Sequence, residues 1–205
     1  MKVDRRVHKS KNALKTALIQ LMKEKDMQQI TITDIVNKAD LNRGTFYKHY
    51  DIQEALFEEL MEDVITDLTQ SFREPYQNKQ TFILHEMNAS TIKIFEHVAR
   101  YSDFYQTIIN RDTIFPGFQQ KLCTVFRDLS EKDLISTKEE GAIDKDLQAS
   151  YQTYAIIGMI MEWVKNGFKY TPEYMADQLI KMLSHSPITM TYQTSQHSHS
   201  PEQTL

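Results

Sequence analysis

The chain has 205 residues, with only five Gly and five Pro, and this composition favours an all-helical protein that can bury a sizeable core. The sequence has no run of about 18 apolar residues, so no helical membrane span is expected. The net charge of −4 is unevenly distributed, because residues 1–50 hold 11 Lys+Arg and 5 Asp+Glu (+6) and residues 51–205 hold 13 and 23 (−10).

The first 50 residues predict three short helices. An apolar stripe that includes Leu14 and Leu18 predicts a first helix from about Arg5 to Lys25. Thr31 is an N-cap for a second helix, and Asp34 follows at capping-box spacing. After a break at Asp40-Leu41, Asn42 caps a very short third helix, Arg43 to about Lys48. Two helices joined by so short a turn predict a helix-turn-helix, the unit that lays its second helix in the DNA major groove.

The remaining elements are also predicted to be helical. Asp51 is the predicted cap of a fourth helix, with Glu54 three residues later. Apolar spacing and cap residues predict five more helices. These are a fifth from about Gln80 to Ala99 that includes Ile92, a sixth capped by Ser102, a seventh with Pro116 early in it, an eighth over about Leu147–Asn166, and a ninth after Thr171-Pro172. Residues 136–146 are predicted to form a loop.

The eighth predicted helix is apolar on all sides. A helix of this kind must be covered on every face. It is either buried centrally within one chain, or one of its faces meets another subunit.

Residues 31–50 read TITDIVNKADLNRGTFYKHY, and Glu54-Ala55-Leu56 follows. This stretch resembles the DNA-binding domain of the tetracycline-repressor (TetR/AcrR) family, and its most specific part is Gly-Thr-Phe-Tyr-x-His-aromatic. Asp40 stands where the family usually has Gly. Gln53 stands where the family usually has a Lys that often touches a phosphate.

The resemblance implies an all-α protein in which a three-helix DNA-binding domain (residues 1–52) is joined to a helical regulatory and dimerisation domain (residues 53–185). Residues 186–205 are predicted to be a disordered tail. The implied function is a ligand-responsive homodimeric regulator, most often a repressor, that binds a near-palindromic double-stranded DNA operator. Helices eight and nine are expected to form the dimer interface through Ile156, Ile160, Met175, Leu179 and Met182.

The predicted DNA contacts lie on and around the second and third helices. Arg43 is expected to bind either a base edge or a phosphate. Gly44 either allows close approach to DNA or only suits a tight helix, and Tyr47 is expected to bind phosphate rather than fill the core. The full predicted set is Thr31, Thr33, Asn42, Arg43, Gly44, Thr45, Tyr47, Lys48 and His49.

Aromatic and Met side chains are abundant in the C-terminal helices. Such residues either line an apolar ligand pocket or fill the core. The residues predicted for a pocket are Phe95, Phe104, Tyr105, Phe118, Tyr154 and Trp163. The family resemblance implies a small apolar or cationic effector there, and Glu162 could meet a cation.

No catalytic signature, cofactor site or metal site is predicted from the sequence, so an enzyme is not expected. Cys123 is the only cysteine, which excludes an intramolecular disulfide and favours a reducing cytoplasm. The basic start of the chain is not expected to be a secretory signal, because it has no apolar core segment and no small-residue cleavage site. An alternative keeps the fold but makes the chain a co-regulator that acts mainly through protein–protein contacts of its C-terminal helices. Steeply salt-dependent DNA affinity would distinguish the two.

Overall fold

The computed structural model describes residues 5–75, 89, 92–110, 117–133 and 144–184, and these residues form helices and turns without a strand. The all-α prediction is confirmed. The helices are α1 (Arg5–Glu24), α2 (Ile32–Lys38), α3 (Arg43–Tyr47), α4 (Gln53–Arg73), α5 (Ile94–Arg100), α6 (Ser102–Asn110), α7 (Phe118–Asp133), α8 (Lys145–Lys165) and α9 (Pro172–Ser184). The predictions for the Gln80 helix start, for Pro116, for most of the 136–146 loop and for the 186–205 tail lie outside the described residues.

The first four helices share one apolar core. The predicted stripe of α1 is buried, and α1 contacts both α2 and α4, while α2 contacts α3. Phe46 of α3 is fully buried, and Tyr50 lies beside it with ring centroids 5.7 Å apart. Packing through Phe46 therefore fixes how the short α3 projects from the rest of the molecule.

Ion pairs hold α1 against α4. Lys15 is largely buried, and its Nζ donates to Glu59 at 2.6 Å and to Asp63 at 2.5 Å. Lys11 donates to the other carboxylate oxygen of Glu59 at 2.7 Å. Burial by itself lowers the pKa of Lys15, but its hydrogen bonds to Asp63 and Glu59 and their negative charges outweigh this effect, so the pKa is raised. The network fixes the register of the two helices on one side of the shared core.

Helices α5 to α9 surround a second group of aromatic side chains. α7 and α6 both pack on α8, and α5 packs on α4 and α9. α6 also contacts α1, and Lys23 of α1 pairs with Asp103 of α6 at 2.5 Å. α6 is thus in contact with the N-terminal helices and with the C-terminal helices at once.

A buried polar network joins α4, α5 and α6. His97 is fully buried, with Nδ1 2.6 Å from Asp67 Oδ2 and Nε2 2.9 Å from the hydroxyl of the buried Tyr105. Burial lowers the pKa of His97, although Asp67 opposes the effect. A neutral imidazole fits both contacts, because Nδ1–H then donates to Asp67 while Nε2 accepts from Tyr105.

Three predicted helix boundaries are corrected by the structure. The N-cap of α4 is Ile52 and not Asp51, and Ile52 has extended φ and ψ of −137° and 162°. The reason is that the backbone is still hydrogen-bonded to α3 at Tyr50, whose N–H donates to Phe46 O, so α4 starts later. Ile92 precedes α5 instead of lying within it, since the helix begins at Ile94. α8 begins at Lys145 because Asp144 accepts hydrogen bonds from the N–H groups of residues 146 and 147, so the helix starts inside the predicted loop.

Candidate nucleic-acid interface

A full capping box sets the start of α2. The Thr31 hydroxyl accepts from Asp34 N–H at 3.1 Å, and Asp34 Oδ2 accepts from Thr31 N–H at 2.9 Å. Lys25 pairs with the same carboxylate at 3.0 Å. The Thr31 backbone bond, together with Lys25 and the Thr31 hydroxyl, lowers the pKa of Asp34 to about 2. Thr31 thus has a structural role in the free chain, whereas Thr33 is exposed.

The turn between α2 and α3 depends on a left-handed residue. Asp40 has φ 52°, a conformation that Asp tolerates better than most residues. The backbone here closes with Leu41 N–H donating to Val36 O at 2.9 Å. Asp40 therefore provides the sharp turn for which the family usually has Gly.

Asn42 caps α3. Its Oδ1 accepts from Thr45 N–H at 2.8 Å and from the Thr45 hydroxyl at 3.0 Å. A Cβ on Gly44 would lie only 3.3 Å from the same Oδ1. The absence of a side chain at Gly44 leaves room for this cap, which gives the glycine a reason within the protein alone. In the free chain, the side-chain oxygen of Asn42 and the hydroxyl of Thr45 bind each other.

Arg43 and Tyr47 form a pair on the exposed side of α3. Arg43 Nη2 donates to Tyr47 Oη at 3.3 Å, and its Cζ lies 5.9 Å from the centroid of the Tyr47 ring. Tyr47 is 48% exposed, so its ring is outside the core. The spacing of four residues places both side chains on one helix face. The pair gives the guanidinium a preferred direction before any DNA is bound.

Lys48 and His49 extend the same surface beyond the end of α3. Lys48 is exposed, and His49 is half-buried with its ring 6.2 Å from that of Tyr50. Partial burial lowers the pKa of His49, and the charges of Lys11 and Lys48 lower it further. At neutral pH, His49 is therefore mainly an uncharged hydrogen-bonding group, and the charge of this surface comes from Arg43 and Lys48.

Two features of the site were not predicted from the sequence. Gln53 Nε2 donates to Met27 O at 3.3 Å and joins α4 to the 3-10 turn (Met27–Gln29) that follows α1. Lys11 belongs to the Glu59 network described above, although its position in the sequence suggests a cation on the approach to DNA. Neither contact has a local signal, because the partners are 26 and 48 residues apart.

A cavity of about 610 Å³ lies among α6, α7 and α8. Two of the six residues predicted for a pocket, Phe118 and Tyr154, line it. Phe104 and Tyr105 are buried behind Phe118, with ring centroids 5.8 and 6.0 Å from it. The other two predicted residues, Phe95 and Trp163, pack edge to face elsewhere in the core, 5.7 Å apart.

The residues predicted for a dimer interface are placed differently from one another. Ile160, Met175 and Leu179 are buried within the chain itself, because α8 packs on α6 and α7 while α9 packs on α5. Within one chain they expose little surface, and their assignment to a dimer interface stays a prediction. Ile156 is half-buried, and Met182 is 60% exposed.

The exposed face of α8 carries large side chains. Leu147, Tyr151 and Tyr154 are 70%, 75% and 58% exposed, and a Cβ on Gly158 would meet nothing within 4 Å. Their spacing of four, three and four residues places them on one stripe. On α9, Tyr174 is also exposed and stacks on Tyr170 at 4.8 Å.

Among the described residues, no group of three or more His, Cys, Asp or Glu side chains is arranged to hold a metal ion. No helix in the described part of the chain is both long and apolar enough to cross a membrane. Glu162, the candidate partner for a cationic ligand, is exposed and accepts a hydrogen bond from Asn166 at 2.7 Å.

Comparison with known families gives two matches that cover most of the chain. Residues 14–60 match the family described as bacterial regulatory proteins, tetR family. Residues 85–185 match the transcriptional regulator C-terminal region known as TetR_C_8.

Individual proteins are also similar to this chain. An uncharacterized HTH-type transcriptional regulator of Bacillus subtilis, YxbF, is 22% identical over 174 residues, which are 83% of this chain. The chain matches 44% of the length of that curated relative. Among solved structures, the dihydroxyacetone kinase operon activator DhaS has a TM-score of 0.60 at 20% identity, with 85% of this chain and 94% of that chain covered. A TetR transcriptional regulator from Streptococcus agalactiae has a TM-score of 0.55 at 24% identity, with 88% and 96% covered. At these identities the structures show a shared fold.

Proposed function

The chain belongs to the TetR family of bacterial transcriptional regulators, and we propose that it is a cytoplasmic, ligand-responsive homodimeric repressor of a near-palindromic DNA operator. In this role, α3 enters the major groove and Arg43 reads a base edge. Tyr47 and Lys48 bind phosphates on either side. The proposal extends the family assignment to individual residues, to assembly and to regulation.

One observation carries the DNA-binding proposal: the exposed side of α3 presents Arg43, Tyr47 and Lys48 together while Phe46 anchors its other side in the core. A guanidinium is suited to bind guanine O6 and N7 through two hydrogen bonds, and an ammonium or phenol is suited to bind phosphate. Thr33 lies in the first turn of α2, the helix that precedes α3, and the exposed backbone N–H groups at this helix N-terminus favour an anion.

The exposed stripe of α8 supports the homodimer. Leu147, Tyr151 and Tyr154 form an apolar and aromatic strip, and Gly158 leaves room for the close approach of a second helix. A two-fold pair of helix-turn-helix units would match the two halves of a near-palindrome. We assign Leu147, Tyr151, Tyr154 and Gly158, with Ile156 and Met182 at the edge, to this interface.

The position of α6 supports regulation by a ligand. Its C-terminal half supplies Ile108 and Ile109 to the cavity, and its N-terminal half pairs with α1 through Asp103 and Lys23. A ligand that displaces α6 would thereby act on the helix that carries the DNA-binding unit. A coupling free energy of about 1–3 kcal/mol changes DNA affinity by about 5–150-fold.

Selection of bound duplexes from a random pool by the purified protein tests DNA recognition. We expect enrichment of a near-palindromic sequence and an affinity that falls steeply with salt. Lys48→Ala should weaken binding to all sequences alike and lower the salt slope by about one per half-site. Lys121→Ala is the matched control, because Lys121 is an exposed lysine on α7.

Failure to enrich any sequence, together with an affinity that does not change with salt, would contradict the proposal. That result would favour a co-regulator that acts through protein–protein contacts. Equal salt slopes for Lys48→Ala and Lys121→Ala would remove Lys48 from the proposed interface while leaving the rest of it in place.

A further inference from the structure

The cavity among α6, α7 and α8 has a deep apolar wall and a polar rim. Ile108, Phe118 and Leu122 are buried and form the wall. Gln119 and Gln120 are exposed, and the half-exposed Tyr154 lies with them at the rim. An occupant would therefore place an apolar body against the wall and a hydrogen-bonding group at the rim.

None of the described residues that line this cavity is Asp, Glu, Lys, Arg or His. The polar groups among them are the Gln amides, the Tyr154 hydroxyl and the Cys123 thiol. Burial raises the pKa of Cys123, so the thiol is protonated at neutral pH. The described residues of the lining thus offer hydrogen bonds to a ligand but no counter-ion.

We propose that this cavity binds an uncharged ligand with an extended apolar body and one neutral hydrogen-bonding end, such as a medium-chain alcohol. The size agrees, since about 610 Å³ lies within the range of pockets that enclose small organic ligands. A charged group is disfavoured because an ion transferred from water into such a site needs a partner that the described lining lacks.

The proposal rests on the proposed homodimer in one respect. Tyr154 lines the cavity and also belongs to the exposed stripe of α8. A second copy seated on that stripe would cover this side of the rim and remove water from it. A charged ligand end would then lose hydration even at the rim, which strengthens the preference for a neutral one.

The cation that the family resemblance allows is the main alternative. Glu162 is the acidic residue of the apolar part of α8, but it is exposed, accepts from Asn166, and is not among the residues that line the cavity. Met161, its neighbour on the helix, lines the cavity. The geometry therefore favours a neutral ligand over a cationic one.

Three probes with the same ten-carbon chain test the inference: 1-decanol, decanoate and decyltrimethylammonium, each below its micellar concentration. Binding to the full-length protein is measured by calorimetry, with displacement of Nile red as a second readout. We expect 1-decanol to bind at least about tenfold more tightly than either ion. Equal or tighter binding of decanoate or of decyltrimethylammonium would overturn the inference.

Matched Trp variants on α7 locate the binding site. Cys123→Trp places a large side chain in the cavity and should abolish 1-decanol binding, whereas Thr124→Trp adds the same side chain at an exposed position and should not. Met161→Trp fills the cavity from α8 and serves if Cys123→Trp does not fold. Unchanged 1-decanol binding in a folded cavity-filling variant would place the site elsewhere and refute the inference.

Operator binding is measured on the same samples, so the two proposals can fail separately. Tight operator binding without any binding of 1-decanol would refute the ligand assignment and leave the DNA-binding function standing. Binding of 1-decanol in the cavity without DNA binding would refute the regulatory function and support the ligand assignment.

Discussion

Replacement of Arg43 separates base recognition from simple charge. Arg43→Lys keeps the positive charge but removes the planar fork that can bind one guanine through two hydrogen bonds. Arg43→Ala removes both. If Arg43 reads a base, both variants should relax sequence preference at one base pair of each half-site, and only Arg43→Ala should also lower the salt slope.

The contact between Arg43 and Tyr47 sets the expected magnitude. A bidentate base contact contributes about 1–3 kcal/mol of discrimination, or about 5–150-fold in affinity. An exposed guanidinium over an aromatic ring contributes about 0.5–1 kcal/mol. If Arg43 stays on the Tyr47 ring when it binds DNA, Arg43→Ala should weaken the binding free energy by the full value of about 1–3 kcal/mol. If Arg43 must leave the ring, the net cost falls to about 0–2.5 kcal/mol.

A double-mutant cycle distinguishes these two cases. Tyr47→Phe removes the hydroxyl that accepts from Arg43 at 3.3 Å but keeps the ring beneath the guanidinium. Affinities of the single and double variants are measured by fluorescence anisotropy on the selected operator and on operators changed at each base pair. Additive effects mean that Tyr47 binds phosphate independently, and non-additive effects at one base pair mean that it orients Arg43.

Sequence preference that stays unchanged in both Arg43→Lys and Arg43→Ala would refute base readout by this residue. A uniform loss of affinity in Arg43→Ala alone would instead assign Arg43 to a phosphate. Circular dichroism of each variant serves as the folding control, because the exposed side chain of Arg43 contributes nothing to the core.

Three further predictions concern stability and assembly. Asp34→Asn should destabilise the protein at neutral pH, because the depressed pKa of Asp34 contributes stability only where the carboxylate is ionised. The difference in unfolding free energy from wild type should therefore shrink as pH falls from 3.8 towards about 2, and urea unfolding across this range measures that difference. Tyr105→Phe should lower the free energy of unfolding by about 1–3 kcal/mol in urea titrations, since His97 Nε2 would be left buried without its partner; an unchanged midpoint would contradict the network. Gly158→Glu should convert the dimer to a folded monomer by light scattering, because the added side chain has open space within the chain but lies on the proposed interface.

Local signals in the sequence predicted the N-terminal helices closely. The Thr31 capping box and the Asn42 cap both form, and Asp40 adopts the left-handed conformation. These features depend on residues three or fewer positions apart, so the sequence contains all of their causes. The prediction of Asp51 as the cap of α4 was wrong, because the start of α4 depends on how α3 ends and packs through Phe46, which is a tertiary constraint.

Periodicity could show that α8 and α9 are apolar but not which neighbour covers each face. Ile160 and Leu179 face the chain's own core, whereas Tyr151 faces outward. An apolar residue in a core and one in an interface have the same sequence pattern, because both leave water. The contact between His97 and Asp67 could not be predicted from the sequence either, because Asp67 lies 30 residues away along the chain.

The structure also changes what the charge of the first 50 residues means for DNA binding. Ten of the eleven basic residues are described, and acidic partners hold at least five of them. These pairs are Lys11 and Lys15 with Glu59, Lys23 with Asp103, Lys25 with Asp34, and Lys38 with Glu24. Arg5, Lys9, Arg43 and Lys48, which lie outside these pairs, are exposed.

The salt dependence of operator binding should therefore be limited by the cations outside these pairs. If the five paired lysines stay on their carboxylates, the remaining six basic residues of the segment allow at most twelve phosphate contacts per dimer, which gives a slope of about −11, against about −20 if all eleven contributed. Lys9→Gln and Lys11→Gln are matched tests on one helix. The first should reduce the slope and the second should not, because Lys11 already donates to Glu59 at 2.7 Å. A slope much steeper than −11, or an equal effect of the two variants, would show that the paired lysines exchange their carboxylates for phosphate on binding.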